Sequence, residues 1–404
     1  MQSKALEGVK ILDFTWIAAG PLTTIYLAKC GATVVKVESM AKPDGVRTSP
    51  PYIKGKAGLS RSMQFSNDNA NKLSIAINLK HPKGIEIAKR LVAWADIVAE
   101  NMRPGAMEKL GLGYEDLKKI NPSIIMFRSS FAGQEGPQSR LSVTGTELQG
   151  LCGFTILTGY PDRDPIPPWG AYTDLTVPAL SVGMLAGALD YKRKTGKGQC
   201  LDLGQFEASL HYLSPALLDY FANNRSQTRN GNKCDYAAPH GVFRCKGDDR
   251  WCTIAIFTDE EWNSFVKAIG NPSWTSDSRF AGFVERKKNE EELNRHIEEW
   301  TINITAEEVM NLLQGHGISA GVVETAADLL QDPQVKSRGF LKKLDIGEGE
   351  TLSHQGLGFQ LSKTPYETST TGPGLGEHTE QVCREILKMP DDEFIELFTS
   401  GVFE

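Results

Sequence analysis

The sequence predicts an α/β protein of two domains, a large one built on a parallel sheet and a smaller α+β one, and three observations carry that prediction. From residue 9 to residue 130, short apolar runs alternate with amphipathic helical ones, the pattern of a sheet with helices on both faces. Residues 225–241, RSQTRNGNKCDYAAPHG, are polar and rich in turn formers, as a linker is. Beyond Val242 the texture changes to short strands followed by amphipathic helices. With 404 residues, 40% of them hydrophobic and 23% charged, the chain is long and apolar enough for two or three domains with their own cores.

Taken in order, VKILDF (9–14) reads as a buried strand, LTTIYLAKCG (22–31) as a helix closed by Gly31, and TVVKVE (33–38) as a second strand. KLSIAINL (72–79), DIVAEN (96–101) and SIIMFRSS (123–130) continue as strands, with KGIEIAKRLVAWA (83–95) as a helix among them. Two long helical patterns flank TGKGQ (195–199); the second, residues 206–224, is interrupted at Pro215. In the smaller domain VFRC and WCTIAIF are strands, and Thr305 with Glu308 three residues on is a capping box. The expected boundaries are 1–224 for the large domain, 225–241 for a linker and 242–325 for the small domain. A second linker at 326–376 leads to a C-terminal segment, 377–404, that completes the large domain.

Composition excludes several classes. A net charge of -6 without a long Lys/Arg run argues against nucleic acid as a partner. Seven cysteines at 30, 152, 200, 234, 245, 252 and 383 show no metal-ligand spacing, so buried thiols in a reducing cytoplasm and no metal are expected. The N-terminus lacks a signal-peptide plan, and the uncharged run from Leu175 to Leu189 falls short of the roughly 20 residues that span a bilayer, which points to a cytoplasmic protein without membrane contact.

The opening β-α-β unit is Rossmann-like, and Glu38 stands where an acid would hold a ribose, but the turn TWIAAGP lacks the glycines that bring a backbone against a pyrophosphate. Glu38 then reads as a solvated strand end. No phosphate loop, zinc motif or nucleophile elbow is present. Asp174 stands just ahead of the uncharged run; Asp is a preferred N-cap and Pro178 is tolerable within the first turn, so that stretch alone favours a cap. Asn78 and Lys80 follow one strand, Asn101 and Arg103 the next, with Lys109 shortly beyond. Cations at the carboxyl ends of strands suit a phosphate-bearing ligand, although each alone is commonly a solvated loop charge.

In order, LEGVKILDFTWIAAGP, GATVVKVE, NLKHPKG, AENMRPGAMEKLGLGYEDLKKINP, GAYTDL, KTGKGQ and LGEHT closely resemble the class III CoA-transferases, which include formyl-CoA transferase and carnitine CoA-transferase. The resemblance implies that Asp174 is the nucleophile and that Ile17, Ala18, Ala19, Ile77, Asn78, Leu79, Lys80, Asn101, Met102, Arg103 and Lys109 line a coenzyme A site. It implies an acyl-CoA donor such as succinyl-CoA, a carboxylate acceptor, and an interlocked homodimer or a heteromer with a related subunit. A carboxylate is already ionised at neutral pH and needs no general base, so attack on a thioester to give an aspartyl anhydride, then an aspartyl-CoA thioester, is sound chemistry. Backbone amides are the expected oxyanion donors.

Two departures from that family stand out. No GGGG flap lies between residues 240 and 262, which disfavours formate or oxalate, and Ser39 stands where relatives carry an Arg beside the adenine, a place Arg47 could fill. Trp16, Trp169 and Tyr172 lie near the two motifs and offer an apolar wall for an aromatic acyl group, with core packing the plainer reading. WIAAGP, SFAGQEGP and LGQFEASL look most like the catalytic subunit of a benzylsuccinate-type transferase of aromatic degradation. The alternatives are an α-methylacyl-CoA racemase, for which the histidine expected near Thr144 or Gly145 is missing, and a non-catalytic CoA-binding subunit, against which the retained Asp174 argues.

Overall fold

The computed structural model describes residues 3–347 and 350–404, which form two compact units. The larger takes the described residues up to Thr155, Pro167–Ser226 and the described residues from Ser337 onward; the smaller takes Ile156–Ile166 and Gln227–Lys336.

The larger unit is built on six strands: β1 (Lys10–Asp13), β2 (Thr33–Glu38), β3 (Leu73–Ala76), β4 (Ile97–Glu100), β5 (Ile125–Ser130) and β6 (Cys200–Gly204). All pair in parallel, in the order β3-β2-β1-β4-β5-β6. Successive side chains of a strand point to opposite faces, so each of these apolar runs feeds two cores. Leu12, Val35, Val98 and Met126 pack on one face with Ile87 and Leu91 of the helix Pro82–Trp94, joined by Val382, Cys383 and Leu397 from the end of the chain. Ile11, Val34, Ile97 and Ile125 pack on the other with Leu27 of the helix Ala19–Lys29 and Val177 and Leu185 of the helix Tyr172–Thr195. Strand order reverses between β1 and β4, and in such a sheet the crevice at the carboxyl ends of those two strands is where a ligand fits.

The smaller unit pairs β7 (His240–Arg244), β8 (Trp251–Ala255) and β9 (Ser319–Val322) antiparallel over a core of Phe243, Ile254, Phe265, Leu293 and Leu313. Its helix Ala306–Gly315 carries the capping box of Thr305 and Glu308, both halves of which form.

The structure corrects several expectations. Glu38 is 2% exposed and is held by Arg47 through Nε and Nη2 at 2.8 and 2.7 Å, so it is no solvated strand end. The segment after residue 325 is not featureless: Ala326–Leu329 and Pro333–Ser337 are helical, and β10 (Leu341–Gly347) pairs antiparallel with β11 (Glu350–Gln355). The interruption in the second long helix falls at His211–Leu213, ahead of Pro215, which then opens the helix Ser214–Asn223 where its missing N–H costs nothing. Cys200 is exposed, unlike the other β-strand thiol Cys252.

Candidate active site

The crevice at the strand-order reversal opens into a cavity of about 220 Å³, lined by residues from six places in the larger unit. Trp16–Ala19 follow β1, Asn101 follows β4, Ser129–Phe131 end β5, Thr144 and Gly145 open the helix Gly145–Leu151, and Asp174 and Gln205 complete the wall.

Asp174 is not a cap. The cap position of the helix Tyr172–Thr195 belongs to Ala171, and Asp174 is the third helical residue, with its side chain engaged by no hydrogen bond among the described residues. Pro178, four residues on, has no N–H to give to the Asp174 carbonyl, so the backbone here lacks one helical bond as well. Burial without a partner pushes the Asp174 carboxyl up to about 6. Gly145 makes room for it: a Cβ at that position would lie 2.5 Å from Asp174 Oδ2 and 2.5 Å from Ala171 Cβ.

The start of the helix Ala19–Lys29 lines the same cavity. Ala18 caps it without a side-chain bond, and among the described residues no acceptor stands opposite the N–H groups of Ala18, Ala19 and Gly20. The first N–H groups of a helix have no intrahelical partner. Ala18 and Ala19 are only 8% and 4% exposed, so buried free donors belong to residues lining the same cavity as a half-buried free carboxylate.

Of the residues expected at the site, Trp16, Ile17, Ala18, Ala19, Asn101 and Asp174 come together in this cavity. Ile77–Lys80, Met102, Arg103 and Lys109 lie outside it. Ile77 is core and Leu79 and Met102 pack against that core. Asn78 builds its own turn, its N–H reaching Val402 O and its Oδ1 accepting from Lys80 N at 3.0 Å. Lys80, Arg103 and Lys109 are exposed at the carboxyl edge of the sheet and enter no ion pair among the described residues; Arg103 donates to Ser142 Oγ at 2.6 Å. Trp169, 89% exposed, and Tyr172, stacked edge-on against Phe154, also lie outside the cavity. Arg47 cannot take the adenine-side role considered for it: it is fully buried, with its guanidinium spent on Glu38, Leu59 O, Pro373 O and the Phe65 ring. Ser129, Ser130, Phe131 and Gln205 were not singled out from sequence; the Ser-Ser pair closing a buried strand was the signal available for two of them.

Fold and site together define an α/β protein with an anion-ready helix start and an unpartnered acid at the switch point of its sheet. Residues 6–379 match CoA-transferase family III, and the chain belongs to that family and is a CoA-transferase. It is 32% identical to the succinyl-CoA–D-citramalate CoA-transferase of Chloroflexus aurantiacus over 96% of each chain. It is 31% identical to the beta subunit of that organism's succinyl-CoA–L-malate CoA-transferase over 98% of each. A CAIB/BAIF family protein from Brucella suis superposes with a TM-score of 0.87 at 32% identity, covering 96% of this chain and 100% of that one.

Proposed function

We propose that the chain transfers coenzyme A from succinyl-CoA to a dicarboxylic acid through covalent intermediates on Asp174. The observation that carries this reading is the pairing, among the residues lining one small cavity, of a half-buried carboxylate with no partner and buried backbone N–H groups with no acceptor. An Asp oxygen attacks the thioester carbonyl, and collapse of the tetrahedral intermediate expels CoA thiolate and leaves an aspartyl–succinyl anhydride. The thiolate then attacks the aspartyl carbonyl, releasing succinate and leaving aspartyl-CoA thioester. The acceptor carboxylate repeats the exchange: it displaces the thiolate to form a new anhydride, and the thiolate attacks the acceptor's carbonyl, which frees Asp174. Every acyl state is activated, so no external energy source enters. Each tetrahedral oxygen needs donors, and the acceptor-free amides of Ala18 and Ala19, which line the same cavity, are our candidates for that role, at about 3 kcal/mol per donor.

The exposed cations Lys80, Arg103 and Lys109 on the same sheet edge fit the phosphates of coenzyme A. For the acceptor, the apolar wall of Trp16, Phe131, Val143 and Leu148 favours a succinate bearing an aromatic substituent, benzylsuccinate being the simplest example. The named relatives act on citramalate and malate, which supports a short dicarboxylate backbone. The decisive experiment is trapping: succinyl-CoA with hydroxylamine should yield an aspartyl hydroxamate that peptide mass spectrometry maps to Asp174, and Asp174→Ala should yield none and no turnover. Retained exchange in Asp174→Ala would end the nucleophile reading. With succinyl-CoA as donor, benzylsuccinate should exceed malate and citramalate in kcat/KM; the reverse order would remove the aromatic part alone.

A further inference from the structure

The turn between β1 and the helix Ala19–Lys29 is held with unusual completeness. Asp13 Oδ1 accepts from Thr15 N at 2.9 Å, and Lys36 Nζ donates to Thr15 O at 2.6 Å. The Asn101 amide takes both backbone groups of Trp16, its Oδ1 accepting from the N–H and its Nδ2 donating to the carbonyl, each at 2.8 Å. Asp44 accepts from Ile17 N at 3.1 and 3.2 Å and pairs with Lys36 Nζ at 3.0 Å. Immediately after these five held groups come the unheld N–H groups of Ala18, Ala19 and Gly20.

The clamp holds something that resists. Ile17 has φ +70, a left-handed backbone that a β-branched residue adopts only when its surroundings impose it. The imposing groups, Lys36 and Asp44, have fully buried side chains. A buried ion pair is a poor way to gain stability, since a packed apolar pair does as well or better, so its presence under this turn calls for another reason.

We infer that the Lys36–Asp44 pair is a positioning device for the transfer reaction: by gripping Thr15 O and Ile17 N it fixes the left-handed turn at Ile17 that sets the following amides at the wall of the Asp174 cavity. Asp44 and Lys36 touch no reacting atom; they act through the turn. The inference rests on the reading of Asp174 as the acyl acceptor.

The test uses the strained residue as a reporter. Asp44→Asn should lower kcat by about tenfold or more, the scale set by the strain the pair holds in place, with KM for succinyl-CoA moved less. Adding Ile17→Gly should recover part of that kcat, because glycine takes a positive φ without being forced. A purely structural Asp44 predicts the opposite, since glycine only adds disorder to an already weakened fold. Should Asp44→Asn not fold, Lys36→Met with Asp44→Leu replaces the pair by an apolar one and is compared with and without Ile17→Gly in the same way. Undiminished kcat without the pair, or no recovery on adding glycine, overturns the inference. Hydroxylamine trapping at Asp174 in these variants keeps it separate from the nucleophile: loss of the clamp slows the trapped yield without moving it to another residue, whereas full turnover by Asp174→Ala removes the underlying reading itself.

Discussion

Asp174 is held in the state its chemistry needs at some cost in stability. An ionised carboxylate at about 6 in the fold against the ordinary 3.8 means that the folded protein binds the proton more readily than the unfolded chain between those values. Stability from this group therefore falls as pH rises through that window, and the penalty is fully present above about 6. Asp174→Asn should unfold later than the parent at pH 8, by on the order of 1–2 kcal/mol once partial exposure is allowed for, and should lose that advantage below pH 4; equal denaturant midpoints at pH 8 would mean that the carboxylate is not strained. The same titration sets activity: kcat/KM for succinyl-CoA should rise with pH through about 6 and then level, as only the ionised form attacks. Gly145 gives a second test at this scale. Gly145→Ala places a Cβ against Asp174 Oδ2, and either the carboxylate or the helix start must move, so kcat should fall by about 100-fold in a chain whose circular dichroism is unchanged. The sequence marks this position only as one where a racemase would carry its histidine and says nothing of the glycine's contact with a residue 29 positions away; the stretch around Asp174 alone favours a cap, and only the order of motifs along the chain points to a reagent.

At the scale of elements, what was legible followed local rules and what was not depended on partners. The capping box at Thr305 needs only four residues, and it forms. Thr305→Ala should cost about 1 kcal/mol in denaturant unfolding of the smaller unit and leave transferase kcat within error; a drop in kcat would tie that helix to the reaction. The first five strands were visible as apolar runs bounded by turn residues. β6 was not, because CLDLG alternates buried and exposed positions at the edge of the sheet, where only one neighbour, β5, demands apolar contact. With that strand unseen, Gln205 directly after it could not be placed beside Ser129 and Asp174. Glu38 and Arg47 failed for a related reason: each looks like a surface charge alone, and each is buried because the other supplies the counter-charge, with the Phe65 ring and two carbonyls completing the arginine's surroundings.

At the scale of the whole molecule, one face of the larger unit is unfinished. The helix Ser214–Asn223 buries none of its residues, yet it carries Leu217, Leu218, Tyr220 and Phe221, with Leu218 62% and Phe221 77% exposed. Leu175, Leu180 and Tyr191 are exposed along the helix Tyr172–Thr195, and the Tyr212 hydroxyl donates to Thr176 O at 3.0 Å, tying the two helical regions together. Apolar groups in such number on neighbouring helices are what a subunit interface looks like before its partner arrives. We propose that a second copy of this chain covers them. Sedimentation of the purified chain should give twice the mass of one chain, and Leu218→Glu with Phe221→Glu should shift it toward the single-chain mass. A parent chain that sediments as a single copy would exclude self-association. If that chain gained transferase activity only on mixing with a second, related subunit, the face would belong to a heteromer. A single copy with full activity would mean that it serves some other purpose. The result bears on the site as well: the helix Tyr172–Thr195 that would lie under the interface carries Asp174 in its first turn, so loss of the partner should lower kcat through the start of that helix, whereas a monomeric double variant with unchanged kcat would show that the cavity is complete within one chain.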